Sequence, residues 1–457
     1  MRFIADGVDI PDELLWAQDE GRVVFFCGAG VSRAKAGLPD FNGLTQRVLD
    51  GLGATEKDHA RKLFEFAKTA KEERGVGIAT SDQVFQLLRR GFTDADIGAK
   101  VAECLKPAEG VDLGAHRTLL KLARLKTGQT RIVTTNFDRL FENCNSRLAT
   151  VTRSNLPHLA FNEADWGVVH LHGCVKPDHS GPTRDGFVLS SAEFGDAYLA
   201  MGWARDFVRE ILNRYVAVFV GYSADDPPIR YLLEGLQQSN GLSNRAYAFQ
   251  SGPDDQAAVS WDEKGVEALI YPTEEGCGHR RLWETLDAWA KRNADPSKWK
   301  TRVLAAAQKG PSRLAPHVRG MIAHIVSSAG GAQAFAQYRP AISAEWLCVF
   351  DPQIRFGEPR SENGRYDGPV VDPHHRYRLD SDPPPRVRNQ EYGLHERVPE
   401  NVWSAFAPNL ADLKELGRNQ VSSVSGYFAR TNPYLPRRMG TLAAWIATVA
   451  DQPAAAW

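Results

Sequence analysis

The chain has 457 residues, 43% of them hydrophobic and 24% charged, a composition typical of two or three globular domains rather than a disordered or fibrous protein. Its 55 basic residues balance 56 acidic ones, and the formal net charge of -1 excludes an overall field that would attract nucleic acid or an anionic membrane. No stretch approaches the roughly 18 apolar residues of a membrane helix, the N-terminus lacks a signal-peptide pattern, and the six cysteines form no C-x-x-C pair. We therefore expect a cytoplasmic protein with reduced thiols and with neither a membrane nor nucleic acid as a partner.

The first two thirds of the chain alternate between predicted helices and strands. A short helix at residues 11–20 precedes a strand at 22–27, and a helix follows at 44–52. Helical spacing then persists through residues 55–125, which predicts a helical insertion covering one side of a sheet. Further strands are predicted at 131–135, 167–171, 216–221, 246–250 and 268–271, with helices at 197–214 and 228–237. This alternation favours an α/β fold with a doubly wound, mainly parallel sheet.

The alternation ends after an amphipathic helix at residues 279–292, and residues 293–295 resemble a domain boundary. We expect residues 1–295 to form the α/β domain and residues 296–457 a smaller, mixed or mainly helical accessory region. Within that region we predict short helices at 299–308 and 317–327 and a solvated linker at 351–390. The apolar helical pattern at residues 442–457 stops without a cap, so we expect the chain to be part of a longer protein.

The strand at residues 22–27 ends in a small-residue turn, CGAGVS, that opens towards a helix. Gly28 and Gly30 can adopt backbone angles closed to other residues, and Ala29 and Ser32 are small enough for a ligand to approach the main chain. Unpaired N–H groups at the start of the helix would face a phosphate or pyrophosphate. A plain connection from strand to helix is the alternative, because the turn is not a full GxGxxG motif.

Asn136 and Asp138 lie in the sequence TTNFD, where the strand at residues 131–135 gives way to a helix. Strand ends of this kind border the ligand crevice of open α/β sheets. Asn136 can hold a hydroxyl or a water through its amide and carbonyl groups, and Asp138 can brace a neighbouring group. Alternatively, both side chains only cap the following helix, which both residue types do well.

His170 and His172 lie at the end of the next strand, in the sequence VVHLHGC at residues 168–174. A histidine at a strand mouth before a turn-forming glycine suits a general base near neutral pH, and His172 has that position. Two alternatives stay open. Alternation would put His170, His172 and Cys174 on one face as a zinc site, or both histidines are structural.

Gly221 and Ser223 follow another buried strand, in the sequence VFVGYSADDP at residues 218–227. Gly221 would let a ribose or an adenine lie against the backbone, and Ser223 can bond a phosphate or sugar oxygen. Asp226 followed by Pro227 suits the start of a helix.

In this order and spacing the motifs resemble those of the sirtuin (SIR2) family. The matching sequences are GAGVSRAKAGLPDF at residues 28–41, TTNFD at 134–138, HLHG at 170–173 and GYSADDP at 221–227. The resemblance covers about residues 10–292. It implies a Rossmann-like domain that binds NAD as its substrate.

The resemblance also implies a role for each matching residue. The NAD pyrophosphate would be cradled by Gly28, Ala29, Gly30 and Ser32. The nicotinamide side would be closed by Asp40 and Phe41, and the adenosine ribose would contact Gly221 and Ser223. The catalytic residues would be His172 as the base, Asn136 to position ribose hydroxyls or the attacking water, and Asp138 to support that site. His170 has no counterpart in the family pattern.

Several departures separate the chain from the sirtuin deacetylases. Those enzymes carry four zinc-binding cysteines after the catalytic histidine, whereas here only Cys174 lies between His172 and Cys277, so we expect no zinc. Asn42 stands after PDF where the deacetylases have arginine, and GYSADDP is more similar to the GYSxxDP of bacterial SIR2-like effectors. The opening MRFIADGVDIPDELL and the positions of the motifs resemble the N-terminal part of a defence-associated sirtuin, a large protein with a C-terminal sensor region.

The resemblance therefore implies an NAD hydrolase (NADase) that cleaves the bond between nicotinamide and ribose and depletes NAD in bacterial anti-phage defence, by abortive infection. We further expect a homo-oligomer that a phage protein triggers through the C-terminal region. Two alternatives remain. One is an NAD-dependent protein deacylase or ADP-ribosyltransferase using the same pocket, and the other is a non-catalytic NAD-sensing module.

Overall fold

The computed structural model describes residues 1–74, 79–159, 166–224, 246–252, 254–273 and 278–340, together with Leu233, Ile342 and Trp346. The predicted helix at 228–237 lies outside the described residues except for Leu233. Residues 225–227 of the GYSADDP motif, the predicted linker at 351–390 and the apolar pattern at 442–457 also lie outside them. Among the helices that are described, none is long and apolar enough to cross a membrane. The chain divides into two compact units, one of Val8–Ala294 and one of Met1–Gly7 with Asp295–Trp457.

Within the described part of the first unit, seven strands form one sheet in which every neighbouring pair is parallel. The strands are β1 (Val23–Cys27), β2 (Arg131–Thr134), β3 (Thr150–Val151), β4 (Gly167–His170), β5 (Val216–Val220), β6 (Ala246–Ser251) and β7 (Val266–Tyr271). Their order in the sheet is β3-β4-β2-β1-β5-β6-β7. The predicted doubly wound, Rossmann-like α/β fold is confirmed; only the short edge strand β3 has no predicted counterpart.

Both faces of the sheet are covered, which explains why β1 and β5 are buried along their whole length. On one face Phe219 packs on Trp261 of the helix that precedes β7, with ring centroids 6.2 Å apart. On the other face Phe25 meets Trp289 of the last helix of this unit, with centroids 5.7 Å apart. The unbroken apolar runs of β1 and β5 are therefore the sequence signature of strands sandwiched between two helical layers.

The helices of the first unit are α1 (Asp12–Asp19), α2 (Ala29–Ala36), α3 (Phe41–Gly51), α4 (His59–Arg74), α5 (Ser81–Leu88), α6 (Asp94–Cys104), α7 (Gly114–Ala123), α8 (Leu140–Cys144), α9 (Ser191–Gly195), α10 (Trp203–Arg214), α11 (Asp254–Asp262) and α12 (Arg280–Ala294). Helices α4 to α7 occupy the stretch that helical spacing predicted as an insertion. Residues of α4 to α6 share an apolar core with α3, separate from the core of the sheet.

Two predicted helices of the first unit differ from the structure by three residues or more. Helix α3 begins at Phe41 rather than at residue 44, because the Asp40 carboxylate accepts the N–H of Gly43 at 2.8 Å and caps it. The prediction of a continuous helix at 197–214 is wrong. A π-helical turn over Asp196–Ala200 follows α9, and Gly202, with φ of +65°, separates that turn from α10.

The described part of the second unit is helical. It contains α13 (Pro296–Ala307), α14 (Pro316–Val326) and α15 (Ala329–Ala336). Asp295 caps α13 by accepting the N–H of Lys298 at 2.9 Å, and a proline stands at the start of that helix. The Trp346 indole donates to the carbonyl of Ala307 at 2.8 Å, which attaches that residue to the end of α13.

Strand register brings the ends of four strands to one edge of the sheet. Cys27 of β1 pairs with Thr134 of β2 on one side and with Val220 of β5 on the other, and Thr134 pairs with His170 of β4. The chain therefore moves from β1 first to one side and later to the other. Such a topological switch opens a crevice beyond the carboxyl ends of the strands, where ligands of open α/β sheets bind.

At this switch the turns after β1 and β5 touch through their main chains. A Cβ atom on Gly30 would lie 2.8 Å from the Cα of Gly221. Gly221 has φ of +76°, and a Cβ there would lie 2.6 Å from the backbone nitrogen of Val31. Only glycine satisfies both the backbone angle and the spacing at Gly221.

Replacing Gly221 by alanine should therefore cost more stability than the same change at a glycine with a similar angle and open space. Gly37 provides that control, since its φ is +67° and nothing lies within 4 Å of an added Cβ. We expect Gly37→Ala to cost about 1 kcal/mol of unfolding free energy from strain alone. Gly221→Ala should cost about 3 kcal/mol or more because main-chain atoms must also move. Urea unfolding followed by circular dichroism measures both, and equal losses would contradict the close contact.

Candidate functional site

A cavity of about 300 Å³ opens at the switch point of the sheet. Its wall is formed by the turns that follow β1, β2 and β5, by the ends of β6 and β7, and by α12. Ten predicted site residues line it, namely Ala29, Gly30, Ser32, Asp40, Phe41, Asn136, Asp138, His172, Gly221 and Ser223. The remaining one, Gly28, is not among the lining residues, and it supports the wall through its contact with the turn after β5.

Three N–H groups in the turn after β1 are hydrogen-bonded to carbonyls of the protein. Gly28 donates to the carbonyl of Val220 and Gly30 to that of Gly221, both at 2.9 Å, while Val31 donates to Gly28 at 3.0 Å. The expectation of unpaired N–H groups is therefore wrong at these three positions. The bonds of Gly28 and Gly30 hold the turn after β1 against the end of β5, and the bond of Val31 closes the turn on itself.

Arg33 is a cavity-lining residue that the sequence reasoning missed. Its guanidinium lies 2.9 Å from the Asp40 carboxylate, and its side chain is mostly exposed. Asp40 therefore both caps α3 and forms an ion pair with Arg33 at the wall of the cavity. The position of Arg33 inside the GAGVSR sequence is the signal that could have identified it.

Asn136 is held by several hydrogen bonds. Its side-chain Nδ2 donates to the carbonyl of Gly28 at 3.1 Å and to Oγ of Ser32 at 3.2 Å. Its main-chain N–H donates to the hydroxyl of Thr134 at 3.0 Å. These bonds leave the Oδ1 atom of Asn136 as the polar atom of its side chain available to a ligand in the cavity.

Ser32 and Asp138 form the layer beneath Asn136. The Ser32 hydroxyl donates to Oδ2 of Asp138 at 2.8 Å and is itself buried. Its hydrogen is thus committed to the carboxylate, so the structure gives Ser32 a bracing position although it borders the cavity. Asp138 also accepts the N–H of Leu140 through Oδ1 at 3.1 Å, and so it both caps α8 and braces the site.

His116 completes this layer and was not anticipated. Its Nε2 lies 3.2 Å from Oγ of Ser32, and its ring packs edge-on against Phe141 with centroids 4.7 Å apart. Burial lowers the pKa of His116, although the nearby Asp138 charge opposes that shift. No motif marks this residue, because it comes from α7 in the helical insertion and reaches the site only through the packing of α7 on α2.

His172 lines the cavity while being almost wholly buried. Burial lowers the pKa of its imidazole to about 3, so the ring is neutral and has a lone pair that can accept a proton. Its Nε2 lies 2.7 Å from the hydroxyl of Tyr198, and its ring packs edge-on against Phe194. Burial also raises the pKa of Tyr198 well above its usual value, so the phenol keeps its proton.

Tyr198 escaped the sequence reasoning because its segment was expected to be an ordinary helix. It lies instead in the π-helical turn Asp196–Ala200, a type of irregularity frequent at functional sites. The turn places the ring against His172, with centroids 5.8 Å apart.

The two histidines of HLHG have separate partners, so the structure does not assemble His170, His172 and Cys174 as a zinc site. His170 Nε2 lies 2.9 Å from a carboxylate oxygen of Glu142, and its Nδ1 lies 2.9 Å from the carbonyl of Asn136. Ligand atoms of Glu142, His170 and Cys174 do come within 4.8 Å of one another. The Arg139 guanidinium lies 3.6 Å from Sγ of Cys174, and His170 is hydrogen-bonded to Glu142.

The far side of the cavity adds residues that no motif contains. Gln250 and Ser251 end β6, and Tyr271 ends β7. The Tyr271 hydroxyl lies 2.8 Å from Nδ1 of His279. Together with Gly221 and Ser223, these groups offer polar contacts on the side of the cavity formed by β5, β6 and β7.

The layer beneath Asn136 makes a direct prediction about stability. Ser32→Ala should cost about 1–3 kcal/mol, because a buried carboxylate oxygen of Asp138 loses its donor. A double-mutant cycle with Asp138→Asn, measured by urea unfolding, should give a coupling energy of at least about 0.5 kcal/mol. Additive losses would show that the two side chains do not interact.

Comparison with known proteins agrees with this architecture. The SIR2-like domain family model matches residues 130–269. The chain is also 33% identical over 327 residues to the uncharacterized protein y4cA of Sinorhizobium fredii (strain NBRC 101917 / NGR234). That alignment covers 68% of this chain but 26% of the relative, so the chain spans about a quarter of the length of the curated relative it matches.

The matched segment runs from the residue before β2 almost to the end of β7 and includes Asn136, His172 and Gly221 of the cavity wall. The match therefore connects this part of the site to a family whose members use NAD as a substrate or cosubstrate. The family match, together with the parallel sheet and the cavity at its switch point, identifies residues 130–269 as a SIR2-like domain.

Proposed function

We propose that this protein hydrolyses NAD at the bond between nicotinamide and ribose. The observation that carries the proposal is one cavity lined by the glycine turns of β1 and β5, by Asn136 and by a neutral His172. The glycine turns suit the close approach of a dinucleotide, and the two side chains suit the handling of a water molecule.

For this reaction the protein has to position the water and stabilise the charge that develops on the ribose. Nicotinamide leaves with the bonding electron pair and becomes neutral, so positive charge develops on the ribose as an oxocarbenium-like transition state. A water oxygen then bonds to the ribose carbon, and its proton passes to Nδ1 of His172, the ring nitrogen that is not bonded to the Tyr198 hydroxyl. Asn136 places the water or the ribose hydroxyls through Oδ1, since Nδ2 is already bound to Gly28 and Ser32.

The NADase proposal is favoured over protein deacylation by the departures from the deacetylase sequences, namely Asn42 and the missing cysteine pairs. We also propose that NAD depletion serves anti-phage defence, with a homo-oligomer and a phage-protein trigger acting through the region after residue 295. These biological roles rest on the family resemblance alone. The alignment covers 26% of the relative, so these roles concern the whole protein.

The purified 457-residue chain, incubated with NAD, should release nicotinamide and ADP-ribose, which chromatography detects. We expect His172→Ala to lower kcat by about 10²- to 10⁴-fold, the usual contribution of a general base, with NAD binding by calorimetry largely kept. Asn136→Ala should lower kcat by about 10²-fold through misplacement of the reacting oxygen. His179→Asn is the matched control, since His179 lies outside the cavity wall and asparagine suits its φ of +57°.

The outcomes separate the alternatives. Full hydrolysis by His172→Ala would contradict the assigned base. NAD consumption only when an acyl-lysine peptide is added would favour the deacylase, and label transfer to protein would favour the ADP-ribosyltransferase. Measurable NAD binding without turnover, also in extract from phage-infected cells, would favour an NAD-sensing module.

The buried imidazole predicts an unusual pH profile. Because the pKa of His172 is lowered to about 3, its base form is already present at mildly acidic pH. We expect kcat/KM for NAD hydrolysis to stay flat from about pH 8 down to about pH 5, wherever circular dichroism shows the chain folded. An acidic limb near the ordinary histidine value of about 6.5 would show that His172 is not the base or is not buried in solution.

A further inference from the structure

We propose that His170 is a positioning residue for Asn136, acting through a hydrogen bond from its Nδ1–H to the main-chain carbonyl of Asn136. The inference rests on the proposed role of Asn136 in the cavity. His170 itself is fully buried and is not among the residues that line that cavity. Any effect it has on the reaction must therefore pass through another residue.

The geometry defines how His170 is protonated. Its ring lies between two acceptors at equal distances of 2.9 Å, the Asn136 carbonyl at Nδ1 and the Glu142 carboxylate at Nε2. A carbonyl and an ionised carboxylate can only accept hydrogen bonds. Both ring nitrogens must therefore carry hydrogen, so His170 is an imidazolium paired with Glu142.

The surroundings support this charge state. Burial opposes the charge on His170, but its contacts with Cys174 and Glu142 outweigh burial and raise its pKa well above the usual value. Burial likewise opposes the charge on Glu142, yet the charge and hydrogen bond of His170 lower its pKa to about 2. The Thr150 hydroxyl donates to the same Glu142 oxygen at 2.9 Å and holds the carboxylate in place.

The contact fixes the main-chain carbonyl of Asn136, whereas the main-chain N–H and the side-chain Nδ2 have other partners. Thr134 holds the main-chain N–H, and Gly28 with Ser32 holds the side-chain Nδ2. His170 holds the carbonyl, and so it sets the orientation of the peptide group that follows Asn136. Loss of this bond should leave NAD binding intact and let Oδ1 of Asn136 move from its working position.

Two substitutions at the same residue separate the two hydrogen bonds. The amide nitrogen of asparagine reaches the position of Nδ1, whereas that of glutamine reaches the position of Nε2. We expect His170→Gln to lower kcat for NAD hydrolysis by about 10²-fold with KM changed less than about threefold. His170→Asn should stay within about tenfold of the wild type. Equal losses in the two variants would overturn the positioning role.

A second pair of variants distinguishes an effect on protein stability from an effect on the position of Asn136. His170→Asn leaves the buried Glu142 carboxylate without its cation, a change that can unfold a protein. Glu142→Gln removes that charge, and we therefore expect the ranking of asparagine above glutamine to persist in the Glu142→Gln background. A ranking that vanishes there, with both double variants folded, would show that the single-variant effects came from the unpaired charge.

A readout without turnover separates failure of this inference from failure of the NADase proposal. In protein labelled with ¹⁵N-asparagine, the Asn136 side-chain signal is assigned with Asn136→Asp, and its hydrogen exchange is followed by NMR. His170→Gln should speed that exchange at least about tenfold, and His170→Asn should not, whether or not the wild type hydrolyses NAD. Unchanged exchange in His170→Gln, or one equivalent of zinc bound by the purified wild type and lost in both variants, would overturn the inference.

Discussion

The close contact between the turns after β1 and β5 is the constraint on which the rest of the site depends. Gly30 donates to Gly221 at 2.9 Å, and no side chain could stand between them. Because β1 and β5 are neighbours at the point where the chain reverses its direction across the sheet, this contact closes the floor of the crevice. Gly30 and Gly221 therefore serve first to bring the turns after β1 and β5 into contact. The surface of these turns that stays exposed lines the cavity.

Two histidines separated by one residue illustrate how burial and partners set opposite properties. His172 faces the Tyr198 hydroxyl and aromatic rings, and burial keeps it neutral. His170, at the end of β4, faces two acceptors, and the Glu142 carboxylate stabilises its charge. A neutral imidazole suits proton acceptance, whereas a charged one suits a fixed pair of hydrogen bonds, so one short motif supplies both.

The sequence was informative about elements whose signal is local. The unbroken apolar runs of β1 and β5 predicted buried parallel strands, and motifs after four strands predicted residues that the structure brings to one cavity. Prediction from the sequence failed where the same local pattern is compatible with two backbone conformations. The stretch at 197–214 has helical spacing throughout, but Gly202 takes a left-handed angle and the preceding turn widens to π geometry, which places Tyr198 on His172.

By itself the sequence determined the α/β class, the positions of the strands and the polar residues at their ends, because periodicity and turn chemistry act over a few neighbouring residues. The tertiary structure alone decided which N–H groups of the first glycine turn are bonded within the protein and which side chains support those that line the cavity. His116 reaches Ser32 across 84 positions of sequence, and Glu142 reaches His170 across 28. Contacts of that kind leave no periodic trace in the chain, since they arise only when separate helices pack on the sheet.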